Sequence, residues 1–423
     1  MNLQGGASAP PADRVLSDGD VPLKVRLRRA ERVRKMTAFG LVAPLLVFLL
    51  LTFVVPIAGM LWRSVGDSEL SKVLPRTEAA LVTWDGKSLP GEAAFHALAD
   101  DLAQARADDT AVIAARRLNY DVSGLHSAVM SLARHPFDPA ATPSYRDAVI
   151  AVNHHWGDVA AWGAIRHARG PLTDFYLLSA LDLHQDASGA IHRVSADRAI
   201  YLDVLARTFR ISLTVTLFCL VLGFPVAYLL ATQPPKIANG LMILVLLPFW
   251  TSLLVRTAAW VVVLQDQGIV NDLLLWLGII DHPLRLIYNA IGVHVAMTHV
   301  LLPFMILPLY STMKSIKPHF MRAATSLGAP PSVAFLRVYL PQCLPGIAAG
   351  CLLVFILAIG YYITPALVGG ASDQMLSYFI AFFITDSVNW GLASALGAVL
   401  LGATLLLYAV YSKLVGGTDI KMG

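Results

Sequence analysis

Charge is what this chain has least of. Only 14% of its 423 residues are Asp, Glu, Lys or Arg, against about 25% in a soluble domain. With 56% hydrophobic residues and a mean hydropathy of +0.63, a string of soluble domains is excluded and several membrane spans are expected. Cysteine is almost missing. Cys219, Cys343 and Cys351 all lie in or beside apolar segments, so no disulfide framework is indicated. A nucleotide-phosphate loop of the form G-x-x-x-x-G-K-[ST] is also lacking. The only Gly-Lys-Ser is Gly86-Lys87-Ser88, and Leu81 stands where the first glycine would be needed. No hydrolase, redox or metal constellation is found, so the chain is expected to be no enzyme and to carry no cofactor. His154-His155 lacks a companion ligand set and reads as a solvated face.

The apolar residues fall into long runs. A bilayer crossing takes about 20 residues at about 1.5 Å of rise each. Six segments reach that length: 37–61, 210–231, 238–264, 286–312, 346–369 and 392–414. Lipid offers the backbone no hydrogen-bond partner, so each is expected to be a helix. A seventh apolar run, 375–384, is too short to cross and reads as a helix at or dipping into the membrane surface. The first apolar run starts near Thr37 with no small-residue cleavage site after it, so it reads as a span and not a signal peptide.

Lysine and arginine set the expected direction. Lys24, Arg26, Arg28, Arg29, Arg32, Arg34 and Lys35 precede the first span. They fit cytoplasmic retention beside a span better than nucleic-acid binding. Alternating sides from there places Lys236, Lys314, Lys317, Arg322, Arg337, Lys413 and Lys421 inside. The loops 265–285 and 370–391 fall outside, with Arg285 as their only Lys or Arg. Both termini are therefore expected in the cytoplasm, with tails over 1–36 and 415–423. The polar, Ala-rich stretch 62–207 falls outside. It is expected to be a helical periplasmic insertion with helices over 92–119 and 145–168, separated by Pro136, Pro139 and Pro143. It serves either as a docking surface for a binding protein or as a cap without specific contact.

Between the fourth and fifth spans, the loop 313–345 carries Arg322, Ala323 and Ala324, then Gly328, then Val338, Leu340 and Pro341. Two alanines keep one face of a short helix slim. Gly328 permits a sharp change of direction at its end. Pro330 and Pro331 stop that helix, and Pro331 can begin the next. Phe335, Leu336 and Val338 are expected to offer apolar grip, and Pro341 and Pro345 to mark the turn into the fifth span. A push on such a loop must move spans four and five.

This spacing resembles the cytoplasmic loop of the permeases of ABC importers: E-A-A, three residues, Gly, nine residues, Ile or Val, one residue, Leu-Pro. The sequence departs from it at Arg322, where the family has Glu. The resemblance extends to the stretches beginning at Arg207, Leu247, Leu302 and Gly360, which are similar to the spermidine/putrescine-type permeases. It implies an all-α membrane protein with the six-helix importer-permease fold, its remaining five helices over 208–414. It also implies two copies of an ATPase subunit, a second similar permease and a periplasmic binding protein as partners, and a location in the bacterial inner membrane.

Candidates for the substrate path are Trp250, Arg256, Trp260, Tyr361, Tyr362, Thr364 and Asp373. Aromatic faces and carboxylates suit a polycation, and Asp266 and Asp386 lie near the outer mouth. Arg256, inside the third span, would repel one and fits a structural or gating ion pair better. His294 and His299 fit either a polar route or a bond between helices. Thr364-Pro365 and Gly369-Gly370 are expected to interrupt the fifth span.

Two other readings predict features the sequence lacks. An ion-gradient-driven secondary transporter predicts acids within the spans, and the six contain no Asp or Glu. A membrane sensor with a periplasmic ligand domain predicts a sizeable cytoplasmic output domain, and only a short tail follows the sixth span.

Overall fold

The computed structural model describes residues 23–137 and 142–416. The first part of the basic N-terminal tail, Pro139, and the C-terminal stretch with Lys421 lie outside the described residues. The chain divides into two units, Met1–Met60 and Leu61–Gly423. The first holds the helix Leu23–Leu49 and a wider π turn, Leu50–Val54. Pro56 explains that turn. A proline has no N–H and crowds the carbonyl four residues back, and a π turn relieves both.

Six helices are long and apolar enough to cross a membrane: Glu31–Arg63, Tyr201–Thr232, Leu253–Trp276, Ala290–Ser315, Pro331–Gly360 and Trp390–Lys413. They are called spans one to six below. Leu376–Thr385 is a ten-residue apolar helix, too short to cross. The third span departs from expectation. The stretch read as one helix over 238–264 is a helix Pro235–Leu246, a 3-10 turn Leu247–Trp250 and a second helix Leu253–Leu264. Pro248 is the cause, since it cannot donate into an α-helix and bends the chain toward Thr251, which is extended at φ −104°. The stretch 265–285, read as a loop, supplies the second part of span three, the helix Ile269–Trp276, after a non-helical break at 265–268.

Spans two, four and five form the tight centre, built on Val215, Cys219, Met297, Met305, Val354 and Ala358. Glycine lets spans four and five approach. A Cβ on Gly346 would sit 2.6 Å from Thr312 Oγ1, and one on Gly350 2.8 Å from Met305 Sδ. The pair is a small-xxx-small motif, which joins helices by close backbone packing where lipid removes the hydrophobic drive.

The stretch 62–207 folds around its own core of Phe95, Leu98, Leu118, Val129, Trp156 and Trp162. Its helices are shorter than expected. The first long one splits into Glu92–Ala107 and Ala111–Asp121, because Asp109 takes the left-handed region at φ +55° and Thr110 N–H returns to Ala105 O at 2.8 Å. The second splits into Tyr145–Val152, a 3-10 turn His154–Gly157 and Val159–His167, with Asn153 capping His155 N–H at 3.1 Å. His154 and His155 contact each other at 2.9 Å. A small hairpin, Leu183–Gln185 with Ile191–Arg193, was not foreseen. Its signal was Asp186 to Gly189: Asp186 Oδ1 accepts from Ser188 N and Ala190 N, and Gly189 turns at φ +95°. The span-two helix itself begins at Tyr201.

A buried ion pair holds this stretch together. Arg117 and Asp67 bond directly with both side chains 2% exposed, and the guanidinium lies 4.6 Å from the Phe175 ring and 5.3 Å from that of Tyr176. Tyr176 in turn packs with Val204, Leu376, Leu392 and Leu396 in a second small core. Gly391 at the start of span six is where the ring passes: a Cβ there would meet it at 2.4 Å.

Replacing Arg117 by Ala strands Asp67 in an apolar site, and a stranded buried charge costs about 3–5 kcal/mol. Hydrogen exchange should then rise across Glu92–Asp121; unchanged protection would contradict the pair's structural role. His167 predicts a pH dependence. Burial is the largest influence and lowers its pKa, but its bond to Asp121 at 3.2 Å, the Asp121 charge, the Asp186 carbonyl and the Asp174 charge together outweigh this and the net shift is upward. Its contribution is therefore full below the ordinary histidine pKa and is lost as pH rises through the raised value. Exchange protection around Val159–His167 should fall as pH rises through that window, and His167→Gln should flatten the trend.

Candidate functional site

The loop between spans four and five starts where Ala290–Ser315 ends. Its helix, His319–Ser326, buries no residue. Arg322 and Ala323 are exposed and Ala324 half-buried. The helix ends in a complete Schellman arrangement. Gly328 N–H bonds to Thr325 O at 3.0 Å and Ala329 N–H to Ala324 O at 3.1 Å, with Gly328 at φ +88°. A Cβ at Gly328 would meet nothing within 4 Å, so only the backbone angle requires glycine there. Pro330 is extended and Pro331 opens the next helix.

Two expectations change here. Pro341 and Pro345 do not mark a turn. They lie inside a helical run continuous from Pro331 to Gly360, and a π turn over Phe335–Tyr339 makes room for Pro341 as the first unit's does for Pro56. Phe335 is not free to grip a partner. It stacks on Tyr339 at 5.5 Å and meets Tyr228 and Phe224 of span two edge-on at 5.8 and 6.2 Å. Val338 and Leu340 are half-buried and Pro341 is exposed. The exposed apolar groups of 313–345 include Phe320, 43% exposed, Leu344, 56%, Leu336, 59%, and Leu327, 89%.

The second cluster lies between the start of span three and the end of span five, where the chain leaves helical geometry. Span five ends at Gly360, and a short helix, Ile363–Val368, follows after Tyr361 and Tyr362. The break precedes Pro365, which then sits in a first helical turn, where its missing N–H costs little. Side chains tie the broken ends to their neighbours. Ser377 Oγ donates to Tyr361 O at 2.7 Å, and Thr257 and Thr364 hydroxyls meet at 3.3 Å, both fully buried. Trp260 Nε1 donates to His299 Nδ1 at 3.1 Å, so His299 does bond between helices. His294 instead contacts Ala290 O within its own helix.

Arg256 lies within electrostatic range of His299 and Tyr361. The ion pair expected for it is not formed among the described residues: no carboxylate lies within 4 Å, and its Nε is buried without a partner. Asp203 in span two and Asp266 and Asp272 in span three form no ion pair with it. Asp373 is spent on a turn, accepting from Gly370 N–H at 3.1 Å. Trp250 is 76% exposed at the end of the 3-10 turn and Tyr362 43% exposed. Arg256, Trp260, Tyr361 and Thr364 thus come together with His299, while Trp250, Tyr362 and Asp373 stand apart. Beside them opens a cavity of about 690 Å³ lined by Phe218, Trp260, His294, Thr298, His299 and Leu302. Phe218 and Thr298 escaped the sequence reading because an apolar span gives no local sign of which face borders a void.

Residues 220–417, which begin beyond the 62–207 stretch, match the family described as binding-protein-dependent transport system inner membrane component. The spermidine/putrescine transport system permease protein PotB of Salmonella typhimurium is 37% identical over 218 residues, 51% of this chain and 76% of that protein. PotB of Escherichia coli is 36% identical over 218 residues, 51% of this chain and 79% of its own length. The inner membrane ABC transporter permease protein YdcU of Escherichia coli is 30% identical over 235 residues, covering 51% and 72%. This chain therefore belongs to the binding-protein-dependent inner membrane components, as a multi-pass permease of an ABC importer.

Proposed function

We propose that this permease carries polyamines of the spermidine/putrescine kind, or a related small charged solute, into the cell. In this reading it works with a second permease, two copies of an ATPase subunit and a periplasmic binding protein. Both termini face the cytoplasm, the 62–207 stretch is periplasmic, and the loop 313–345 meets the ATPase. The observation that carries the reading is the exposed loop helix closed at Gly328, on a chain 37% identical over 218 residues to a spermidine/putrescine permease. ATP hydrolysis belongs to the partner. Closure of the ATPase pushes His319–Ser326, and the push passes through the Pro331–Gly360 helix to the break at Tyr361, beside Trp260 and Thr364.

The chemistry of this chain suits a polycation in part. Trp260 and Tyr361 offer aromatic faces, and broken helices offer backbone carbonyls. Carboxylates are the missing element, so the second permease or the binding protein must supply them. Arg256 would repel the solute and is best placed beside the path, as a gating charge.

Co-reconstitution with the ATPase and second permease in proteoliposomes, with radiolabelled spermidine and the binding protein, tests the substrate. Uptake that needs ATP and is competed by putrescine is expected. Absence of polyamine uptake, with uptake of another solute the binding protein holds, would reassign the cargo. Gly328→Val forces a β-branched residue into the left-handed region and should break the helix end. It should leave the complex assembled but cut uptake per ATP hydrolysed severalfold, whereas Gly328→Asn, which tolerates that angle, should retain most of it. Normal uptake by Gly328→Val would remove the coupling role.

A further inference from the structure

The loop that the preceding reading gives to the ATPase carries charge of one sign only. There is no Asp or Glu anywhere between Asp281 and Asp373, while 313–345 holds Lys314, Lys317, His319, Arg322 and Arg337. All five are exposed. None joins an ion pair among the described residues. Membrane topology accounts for the lysines and arginines but not for the missing acids, because Asp and Glu weigh little in orienting spans. Interleaved with the cations are the exposed apolar side chains Phe320, Leu327 and Leu336. Apolar groups ringed by charge of one sign are the pattern of a surface that docks on a complementary protein patch, where charge steers and apolar contact holds.

We infer that the ATPase subunit receives this loop in a groove with an apolar floor for Leu327 and Leu336 and a rim of carboxylates, one of them facing Arg322. The inference rests on the loop being the ATPase contact. Specificity follows from it. A groove whose rim is basic is rejected by like charge, so this permease selects an ATPase of its own kind.

The test measures binding of the fluorescently labelled ATPase to the complete permease pair in nanodiscs of phosphatidylcholine, from roughly 50 to 500 mM NaCl, a range over which screening becomes strong. Wild-type affinity should fall with salt. The double variant Lys317→Glu, Arg322→Glu should bind about tenfold more weakly at low salt and lose most of the salt dependence, as loss of steering charge predicts. All the changed groups are exposed, so folding of the bundle is not at stake. Unchanged affinity in the double variant overturns the inference. Leu327→Ser then separates the causes: if it abolishes binding, the loop docks through apolar contact alone; if it also binds normally, the loop is not the ATPase contact and the coupling reading falls too. An effect of the charge reversal seen only after phosphatidylglycerol is added would assign the cations to lipid and likewise overturn the inference.

Discussion

The absence of water inside a bilayer governs this protein more than any single contact. A backbone N–H or C=O that leaves a helix there must find a partner in the protein. The chain leaves helical geometry around Pro248, at 265–268 inside span three, and at Tyr361 just past the end of span five. At Tyr361 the freed carbonyl is met by Ser377. Thr257 and Thr364 bond across the broken segments, and Trp260 holds His299. These polar side chains gather beside the break, and Trp260 and His299 also line the cavity between spans two, three and four.

The same constraint explains what was legible in the sequence. Each span had to be a helix, so the apolar runs overlap all six candidates, though the third is shifted to Leu253–Trp276, and Gly328 with Pro331 marked the loop helix and its exit. Proline inside a span was not legible in the same way. Pro248 breaks its helix, whereas Pro341 and Pro56 are absorbed by π turns and Pro303 and Pro308 lie in an unbroken helix. The outcome depends on whether neighbouring turns can widen, and that depends on packing rather than on local sequence. The helix splits within 62–207 were partly legible, since Asp108-Asp109-Thr110 and Asn153 are residues that compete with the backbone. The Arg117–Asp67 pair was not, because its members are 50 residues apart and pattern alone does not pair them.

The 62–207 stretch is more than a mass inserted into a loop. Its core is its own, yet Phe175–Ala180 packs on span six, with Tyr176 wedged against Gly391 and backed by the Arg117 guanidinium. The turn before span six holds Val388 at φ +53°, an angle that a β-branched residue takes only when its surroundings impose it. A rigid wedge on one side and a strained turn on the other make this junction stiff, so movement of the stretch and movement of the start of span six are not independent.

On the opposite face, the aromatic stack changes how a push on the loop would travel. Were the loop tied only to spans four and five, force on it would act along those two helices. Phe335 and Tyr339 instead lie against Tyr228, near the end of span two, with ring separations of 5.8 and 5.5 Å. Edge-on aromatic contacts of this kind each add about 0.5–1.5 kcal/mol beyond area burial, enough to keep the π turn seated while the Gly328 end is displaced. The exposed helix His319–Ser326 is thus the free end of the loop, and the π turn seated on Tyr228 joins it to span two as well as to the helix ending at Gly360. With spans four and five packed closely at Gly346 and Gly350, a force applied at Leu327 would be shared among spans two, four and five and not carried by span five alone.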